Sequence, residues 1–189
     1  MKLYLIRHGQ TDNNVKKLFS GWYPAQLTDE GREQARTVGR RLQGFSFDRV
    51  FASDLERAME TAGLVFPECE ITPTSDLREI HVGSLGGRPY AEGDALLNHS
   101  IDFTPFGGED RSQLLARISR FLDMAKDLPC ERVGVVTHGA WICNVLDVIS
   151  GGFISTRHTI CENCSVSVLE YVPERGWRLI KWNDTGVLP

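Results

Sequence analysis

The sequence predicts an α/β fold, a three-layer α/β/α sandwich in which helices cover both faces of a mostly parallel central sheet. Short apolar runs alternate with helical patterns along the chain, and this alternation is typical of parallel sheets. Two of the runs, residues 3–6 and 133–136, lead into a histidine followed by a glycine. The 189 residues show no linker, internal repeat or low-complexity segment. We therefore expect a single domain over residues 1–189.

Local signals indicate the elements in the first half of the chain. The run at 3–6 is short, apolar and followed by a glycine, which indicates a buried strand. Thr28 suits the N-cap of a helix, because two acidic residues follow it where the helix dipole favours negative charge. Pro67 lies just beyond the end of another helical stretch. The predicted strands are 3–6, 48–52 and 71–75, and the predicted helices are 11–17, 28–42 and 55–65.

The second half of the chain continues the alternation and ends in a hairpin. Residues 77–87 contain too many glycines for a long element, whereas Pro89 suits the first position of a helix. Asp110 can cap a helix that has the clearest amphipathic pattern in the chain. The predicted helices are 89–98, 110–125 and 140–149, the predicted strands are 132–137, 165–171 and 177–182, and loops are predicted at 77–87 and 103–108.

The composition argues against several classes of function. The formal net charge is -4 and the pI is about 5.7, whereas nucleic-acid binders usually carry a basic face. No apolar run approaches membrane-spanning length, so we expect no membrane contact. The chain starts directly with a strand, which leaves no room for a signal peptide. Together with five cysteines, an odd count without framework spacing, this favours a cytoplasmic protein with reduced thiols.

Cys161 and Cys164 form the one close cysteine pair in the sequence. With His158 nearby, the pair could be a metal clip or a redox centre. A lone pair at this spacing is more often explained by buried cysteines at a strand edge. The acidic residues also lack the spacing of a hard-metal site. We therefore expect neither a metal nor a cofactor.

Arg7 and His8 stand at the end of the first predicted strand, where open α/β sheets bind ligands. The guanidinium group matches phosphate oxygens, and a neighbouring cation favours the neutral, nucleophilic form of imidazole. Further polar residues follow the other predicted strands, namely Arg57, Glu79 and His138. Together they could stabilise charge on a transferring phosphoryl group. Taken singly, each could equally be a surface or core residue without a chemical role.

Several motifs follow one another along nearly the whole chain. The first is Arg7-His8-Gly9-Gln10-Thr11 followed by Asn14. The others are Leu27-Thr28-x-x-Gly31-x-x-Gln34-Ala35, Ser53-x-Leu55-x-Arg57-Ala58-x-x-Thr61-Ala62, Leu77-x-Glu79-x-x-x-Gly83, Gly107-Gly108-Glu109 and Val136-Thr137-His138-Gly139. In this order they resemble the motifs of the histidine phosphatase superfamily, also called phosphoglycerate mutase-like. Gln10 stands where that family often has glutamate. This departure from the family pattern does not remove a catalytic group.

The resemblance implies a role for each matching residue. His8 would be the nucleophile that forms a phosphohistidine, and Glu79 would protonate the leaving alcohol and then activate water. Arg7, Arg57 and His138 would bind the phosphoryl oxygens and stabilise the transition state. Further substrate contacts are expected from Gln10, Asn14, Ser20, Gly21 and the backbone of Gly139.

The resemblance also implies a reaction, which we expect to be metal-independent hydrolysis of small phosphate monoesters. In the family, the segment that matches residues 77–83 and contains Glu79 is the acid loop. Mutases of the family carry extra segments around this loop that shield the phosphoenzyme, but here only about two dozen residues separate Glu79 from Phe103. The α-ribazole phosphatases and broad-specificity phosphatases look similar, so α-ribazole 5'-phosphate is a candidate substrate. The alternatives are phosphoglycerate mutase-type transfer and a non-catalytic protein that binds a phosphorylated ligand.

The sequence gives less information on specificity and assembly. We expect Trp22, Tyr23, residues 88–106 and Trp141 to shape the substrate pocket. The expected partner is a small phosphate ester. An edge strand near the C-terminal hairpin could also pair with a second copy in a homodimer.

Overall fold

The structure is a computed structural model that describes residues 1–92, 101–154 and 159–186. The strands are β1 (Lys2–Arg7), β2 (Arg49–Ser53), β3 (Ile71–Thr74), β4 (Arg132–Thr137), β5 (Val166–Val172) and β6 (Gly176–Asp184). The α-helices are α1 (Asp12–Lys16), α2 (Asp29–Leu42), α3 (Glu56–Val65), α4 (Arg111–Lys126) and α5 (Gly139–Ser150). Strands and helices thus alternate up to α5, as the sequence predicts.

The six strands form one mixed sheet in the order β3-β2-β4-β1-β5-β6. The four strands from β3 to β1 are mutually parallel, whereas β5 and β6 run antiparallel. In the registers, Arg7 lies opposite Thr137 and Ala52 lies opposite Val136. The carboxyl ends of β1, β4 and β2 therefore lie at the same edge of the sheet.

Helices cover both faces of the sheet, which confirms the three-layer arrangement. On one face, apolar residues of β1, β2 and β4 pack with Ala35 and Val38 of α2 and with residues of α3. On the other face, the sheet packs with α4 and α5, where Phe121 and Trp141 meet edge to face at 5.8 Å between ring centroids. Among the residues described, no helix is both long and apolar enough to cross a membrane.

The predicted helix caps are confirmed. The Thr28 hydroxyl accepts a hydrogen bond from the Gly31 backbone N–H at 3.0 Å at the start of α2. Asp110 and Gln113 form a reciprocal capping box at the start of α4, with two bonds of 2.9 Å. Each cap satisfies a backbone group that the first turn of a helix leaves unpaired.

Two predictions about residues around the site differ from the structure. The predicted helix start at Pro89 is wrong, because a 3-10 turn spans Tyr90–Glu92 there, whereas residues 93–98 of the predicted helix lie outside the described residues. The cause is pairing with another segment, since Pro89 forms a bridge with Leu18 and the Tyr90 N–H donates to the Lys17 carbonyl oxygen at 3.0 Å. Trp141 is fully buried in the core, so it cannot contact a substrate.

Candidate active site

The candidate catalytic side chains gather at the carboxyl edge of the parallel strands. Arg7 ends β1 and His8 follows it, while His138 follows β4, the neighbouring strand. Arg57 lies in the first turn of α3, just after β2. Glu79 lies in the loop that follows β3. Because these strands are parallel and adjacent, residues far apart in the sequence converge on one crevice.

His8 is held as a neutral imidazole. Its Nδ1 lies 2.8 Å from the Gly9 carbonyl oxygen, and its Nε2 lies 3.3 Å from Nε of Arg57. Because the guanidinium group can only donate, Nε2 must accept, and the ring proton therefore resides on Nδ1. Burial lowers the pKa of His8 well below its usual value, and the charges of Arg57 and Arg7 lower it further. Nε2 is thus unprotonated, and its lone pair is directed towards Arg57 beside two cations.

Arg57 links His8 to the loop that contains Gly21. Its side chain is buried, and burial lowers its pKa to about 10, so the guanidinium group stays charged at neutral pH. One of its terminal N–H groups donates to the Gly21 carbonyl oxygen at 2.7 Å. Gly21 has a φ of +47°, and a Cβ there would lie 2.6 Å from Cγ2 of Val82. Only glycine can therefore bring this carbonyl to Arg57 without strain.

The loop between Cys161 and Cys164 positions Arg7 and His8 through its backbone and one amide. A terminal N–H of Arg7 donates to the Cys161 carbonyl oxygen at 2.5 Å, and the Cys164 N–H donates to the Arg7 carbonyl oxygen at 3.0 Å. Nδ2 of Asn163 donates to the His8 carbonyl oxygen at 3.0 Å. Sequence reasoning missed Asn163, because a lone asparagine between two cysteines carries no recognisable signal.

The two thiols of this loop are buried and are not joined by a disulfide. Both Cys161 and Cys164 are buried, and burial raises the pKa of each thiol to about 12. All five cysteines are free thiols. Within residues 1–92, 101–154 and 159–186, no group of three or more His, Cys, Asp or Glu side chains could hold a metal ion. His158 lies outside these ranges.

His138 is fully buried beside His8, and the centroids of the two rings lie 5.1 Å apart. Burial lowers its pKa well below the usual value, and the charges of Arg57 and Arg7 lower it further. Neither ring nitrogen of His138, nor Nε of Arg7, has a hydrogen-bond partner among the described residues. Buried polar atoms are normally paired, so the unpaired atoms of Arg7 and His138 indicate a site for a polar ligand.

Glu79 faces this cluster from the loop after β3. Its Oε1 accepts from the Ile80 N–H at 3.1 Å, and its Oε2 accepts from the Ala140 N–H at 3.2 Å in the first turn of α5. Its negative charge acts on Arg57, whose pKa it raises against the effect of burial. The indole N–H of Trp22 donates to the Glu79 carbonyl oxygen at 2.7 Å. The carboxylate and the guanidinium group therefore lie on the same crevice.

Two of the predicted substrate-binding side chains use their oxygens within the protein. Oε1 of Gln10 accepts from the Thr28 hydroxyl at 2.9 Å, which places this side chain at the start of α2. Oδ1 of Asn14 accepts from the Thr11 N–H at 3.0 Å and from Nδ2 of Asn163 at 3.3 Å. Asn14 is therefore part of the capping box of α1 and lies next to the loop that holds His8.

The other predicted substrate-binding residues lie close to the arginines. Ser20 precedes Gly21 and accepts from Nδ2 of Asn13 at 3.3 Å. A Cβ on Gly139 would lie 3.3 Å from Nε of Arg7, which shows how closely this backbone approaches the guanidinium group. Ser20, Gly21 and Gly139 thus border the same crevice as the candidate catalytic residues.

Aromatic and basic side chains border the acid loop. Trp22 stacks on His81 at 4.3 Å between ring centroids, and the Arg78 guanidinium lies 4.6 Å from the indole centroid. The His81 ring and the Arg78 guanidinium group are too close to the indole to lie on the same side of it, so each covers one face of Trp22. Tyr23 and Tyr90 are exposed by 52% and 38%. Of the side chains predicted to shape the pocket, the tyrosines are therefore freer than Trp22 to meet a ligand.

Comparison with known proteins agrees with this geometry. Residues 3–185 match the family model of the Histidine phosphatase superfamily (branch 1). The chain belongs to this superfamily. The resemblance deduced from the motifs is therefore confirmed.

Individual members of the histidine phosphatase superfamily are similar over most of the chain. A broad-specificity phosphatase of Saccharomyces cerevisiae is 30% identical, over 92% of this chain and 81% of its own length. The α-ribazole phosphatase from Shigella flexneri has a TM-score of 0.89 at 27% identity, covering 100% of this chain and 99% of its own. A phosphoglycerate mutase from Bacillus anthracis has a TM-score of 0.86 at 26% identity, covering 98% and 93%. The predicted phosphoglycerate mutase-like fold is thus confirmed, and the relatives support an enzyme of the phosphatase or mutase kind.

Proposed function

We propose that this protein is a metal-independent phosphomonoesterase that works through a phosphohistidine on His8. The observation that carries the proposal is the neutral imidazole whose Nε2 accepts from Arg57 at 3.3 Å. Unpaired polar atoms of Arg7 and His138 border the same point. The lone pair supplies the nucleophile, and the two guanidinium groups supply the positive charge that a phosphoryl group requires.

The first half of the reaction transfers the phosphoryl group to the enzyme. Nε2 of His8 attacks phosphorus, and the bond between phosphorus and the ester oxygen breaks with its electron pair on that oxygen. Glu79 donates a proton to this oxygen, and the alcohol leaves. Arg7 and Arg57 stabilise the charge on the equatorial oxygens during the transfer.

The second half returns the enzyme to its starting state. Glu79 takes a proton from water, and the water oxygen attacks phosphorus. The bond between phosphorus and Nε2 of His8 breaks, with its electron pair returning to the imidazole. The products are inorganic phosphate and a neutral histidine with a protonated Glu79, ready for the next ester.

Hydrolysis is favoured over mutase-type transfer by the short acid region. About two dozen residues separate Glu79 from Phe103, and mutases need a shield that keeps water from the phosphoenzyme. The similarity to a broad-specificity phosphatase and to an α-ribazole phosphatase supports the same choice. α-Ribazole 5'-phosphate is accordingly the first substrate to test. The presence of both His8 and Glu79 disfavours a non-catalytic ligand-binding protein.

The test is release of inorganic phosphate from a panel of esters, with a metal chelator present, by the wild type and His8→Ala. The panel contains α-ribazole 5'-phosphate, 3-phosphoglycerate, sugar phosphates and nitrophenyl phosphate. We expect chelator-resistant release by the wild type and none by His8→Ala. Isomerisation of 3-phosphoglycerate without phosphate release would favour the mutase, and release by His8→Ala would overturn the assigned nucleophile.

A further inference from the structure

The Gly107-Gly108-Glu109 motif has no role in the mechanism above, yet the structure places it against the loop that carries Glu79. We propose that Glu109 and Arg117 are a positioning pair that holds Glu79 in place for proton transfer. The inference rests on the proposed function, because it concerns the acid of that same reaction. Neither residue touches the reacting atoms; both act through the backbone of the acid loop.

Arg117, on α4, uses all five of its N–H donors. Two of them bind the Glu109 carboxylate side by side, from Nε at 2.9 Å and from Nη2 at 2.8 Å. The other three donate to backbone carbonyl oxygens of the acid loop, those of Asp76 at 3.2 Å, Arg78 at 2.9 Å and Glu79 at 3.2 Å. A planar guanidinium group can do this, whereas an ammonium group offers only three donors from one point.

Glu109 holds the same loop from its far side. Its Oε2 accepts from the His81 N–H at 2.9 Å, and its own N–H donates to the His81 carbonyl oxygen at 2.8 Å. A Cβ on Gly108 would lie 2.2 Å from that carbonyl oxygen, so a side chain there would push the two segments apart. The glycine of the motif thus permits the close contact that the glutamate uses.

The pair is buried and therefore rigid. The side chains of Arg117 and Glu109 are exposed by only 9% and 14%. Between them they bind the backbone on both sides of Glu79. Within the described ranges, the hydrogen bonds to the Glu79 carboxylate come from two backbone N–H groups, at 3.1 and 3.2 Å. The position of this acid therefore depends on the loop, and the loop depends on the pair.

Displacing an acid has a recognisable kinetic signature. An ester whose leaving oxygen is strongly basic, such as glycerol phosphate, needs proton donation in the transition state. Nitrophenyl phosphate needs it much less, because nitrophenolate leaves without a proton. Because kcat/KM reports only the steps up to departure of the alcohol, it is independent of the later hydrolysis of the phosphohistidine, in which Glu79 also acts. A general structural defect lowers kcat/KM for both esters by the same factor, whereas a displaced Glu79 lowers kcat/KM for the alkyl ester selectively.

The experiment compares kcat/KM for these two esters in wild type, Arg117→Lys and Glu109→Gln. Arg120→Gln is the matched control, because Arg120 lies on the same helix and binds the Asp76 carboxylate at 2.7 Å with a side chain that is 59% exposed. We expect both test variants to lose about 10- to 100-fold on glycerol phosphate and no more than about threefold on nitrophenyl phosphate. The control should retain the wild-type ratio.

The outcomes separate this inference from the proposed function. A wild type that hydrolyses neither ester contradicts the proposed function itself. An active wild type whose two test variants lose the same factor on both esters, or lose nothing, overturns the positioning pair. Arg117→Lys retains the charge and Glu109→Gln retains the shape, so one of them is available if the other does not fold.

Discussion

Two buried, neutral histidines should make the protein unstable in mild acid. The pKa values of His8 and His138 lie well below their usual value, primarily because both rings are buried and secondarily because Arg57 lies beside them. In the unfolded chain each histidine binds a proton near its ordinary pKa of about 6.5. Below that pH the unfolded state binds more protons than the folded state, so stability falls as pH falls.

The expected size follows from proton linkage. Each histidine that stays neutral when folded costs about 1.4 kcal/mol for every pH unit below about 6.5. Two such residues should lower the free energy of unfolding by about 2.7 kcal/mol between pH 7.5 and pH 5.5. Above the ordinary histidine pKa both states are neutral, and this contribution vanishes.

The assay is urea unfolding of wild type, His8→Gln, His138→Gln and the double variant at several pH values from 7.5 to 5.5. Each single substitution should remove about 1.4 kcal/mol of the pH-dependent loss, whatever it does to stability at pH 7.5. Buffers must be free of phosphate, because an anion bound in the site would favour the charged imidazoles. A wild-type loss that persists unchanged in the double variant would refute the neutral assignment of both rings.

The remaining predictions concern individual contacts. Arg57→Lys should lower kcat/KM about 100-fold or more in steady-state kinetics, because the three donors of an ammonium group diverge from one point and do not reproduce the planar fork that faces both the Gly21 carbonyl oxygen and the phosphoryl group. Gly21→Ala should lower the free energy of unfolding by about 1–3 kcal/mol in urea, because of its φ of +47° and the Cβ contact with Val82. Asn163→Ala should reduce kcat, measured at saturating ester, about tenfold, because it removes the hydrogen bond to the His8 carbonyl oxygen. Cys164→Ala should retain most activity in the same assay, because the contact of Cys164 with Arg7 is made by its backbone N–H.

The elements of the sheet could be predicted because their signals are local. The apolar runs of β1 and β4 both lead into a histidine and a glycine. The side chains of Thr28 and Asp110 cap α2 and α4, as predicted. The segment after Pro89 could not be predicted in this way. Its backbone bonds to Lys17, and such long-range pairing leaves no trace in the local sequence.

The site was predictable only as a set of residue types. Parallel strands bring Arg7, His8 and His138 to one edge, so their proximity follows from the order of the elements. The contact of Arg57 with Nε2 of His8 depends on how α3 packs, which the sequence does not display. The buried position of Trp141 and the hydrogen bond from Asn163 likewise arise from tertiary packing.

The central claim is that His8 carries the phosphoryl group during turnover. The direct measurement is rapid acid-free quenching of the enzyme with a phosphate ester that is radiolabelled on phosphorus, followed by digestion and identification of the labelled peptide. We predict a label that is stable in base, labile in acid and confined to the peptide with His8. A label confined to another residue would contradict it.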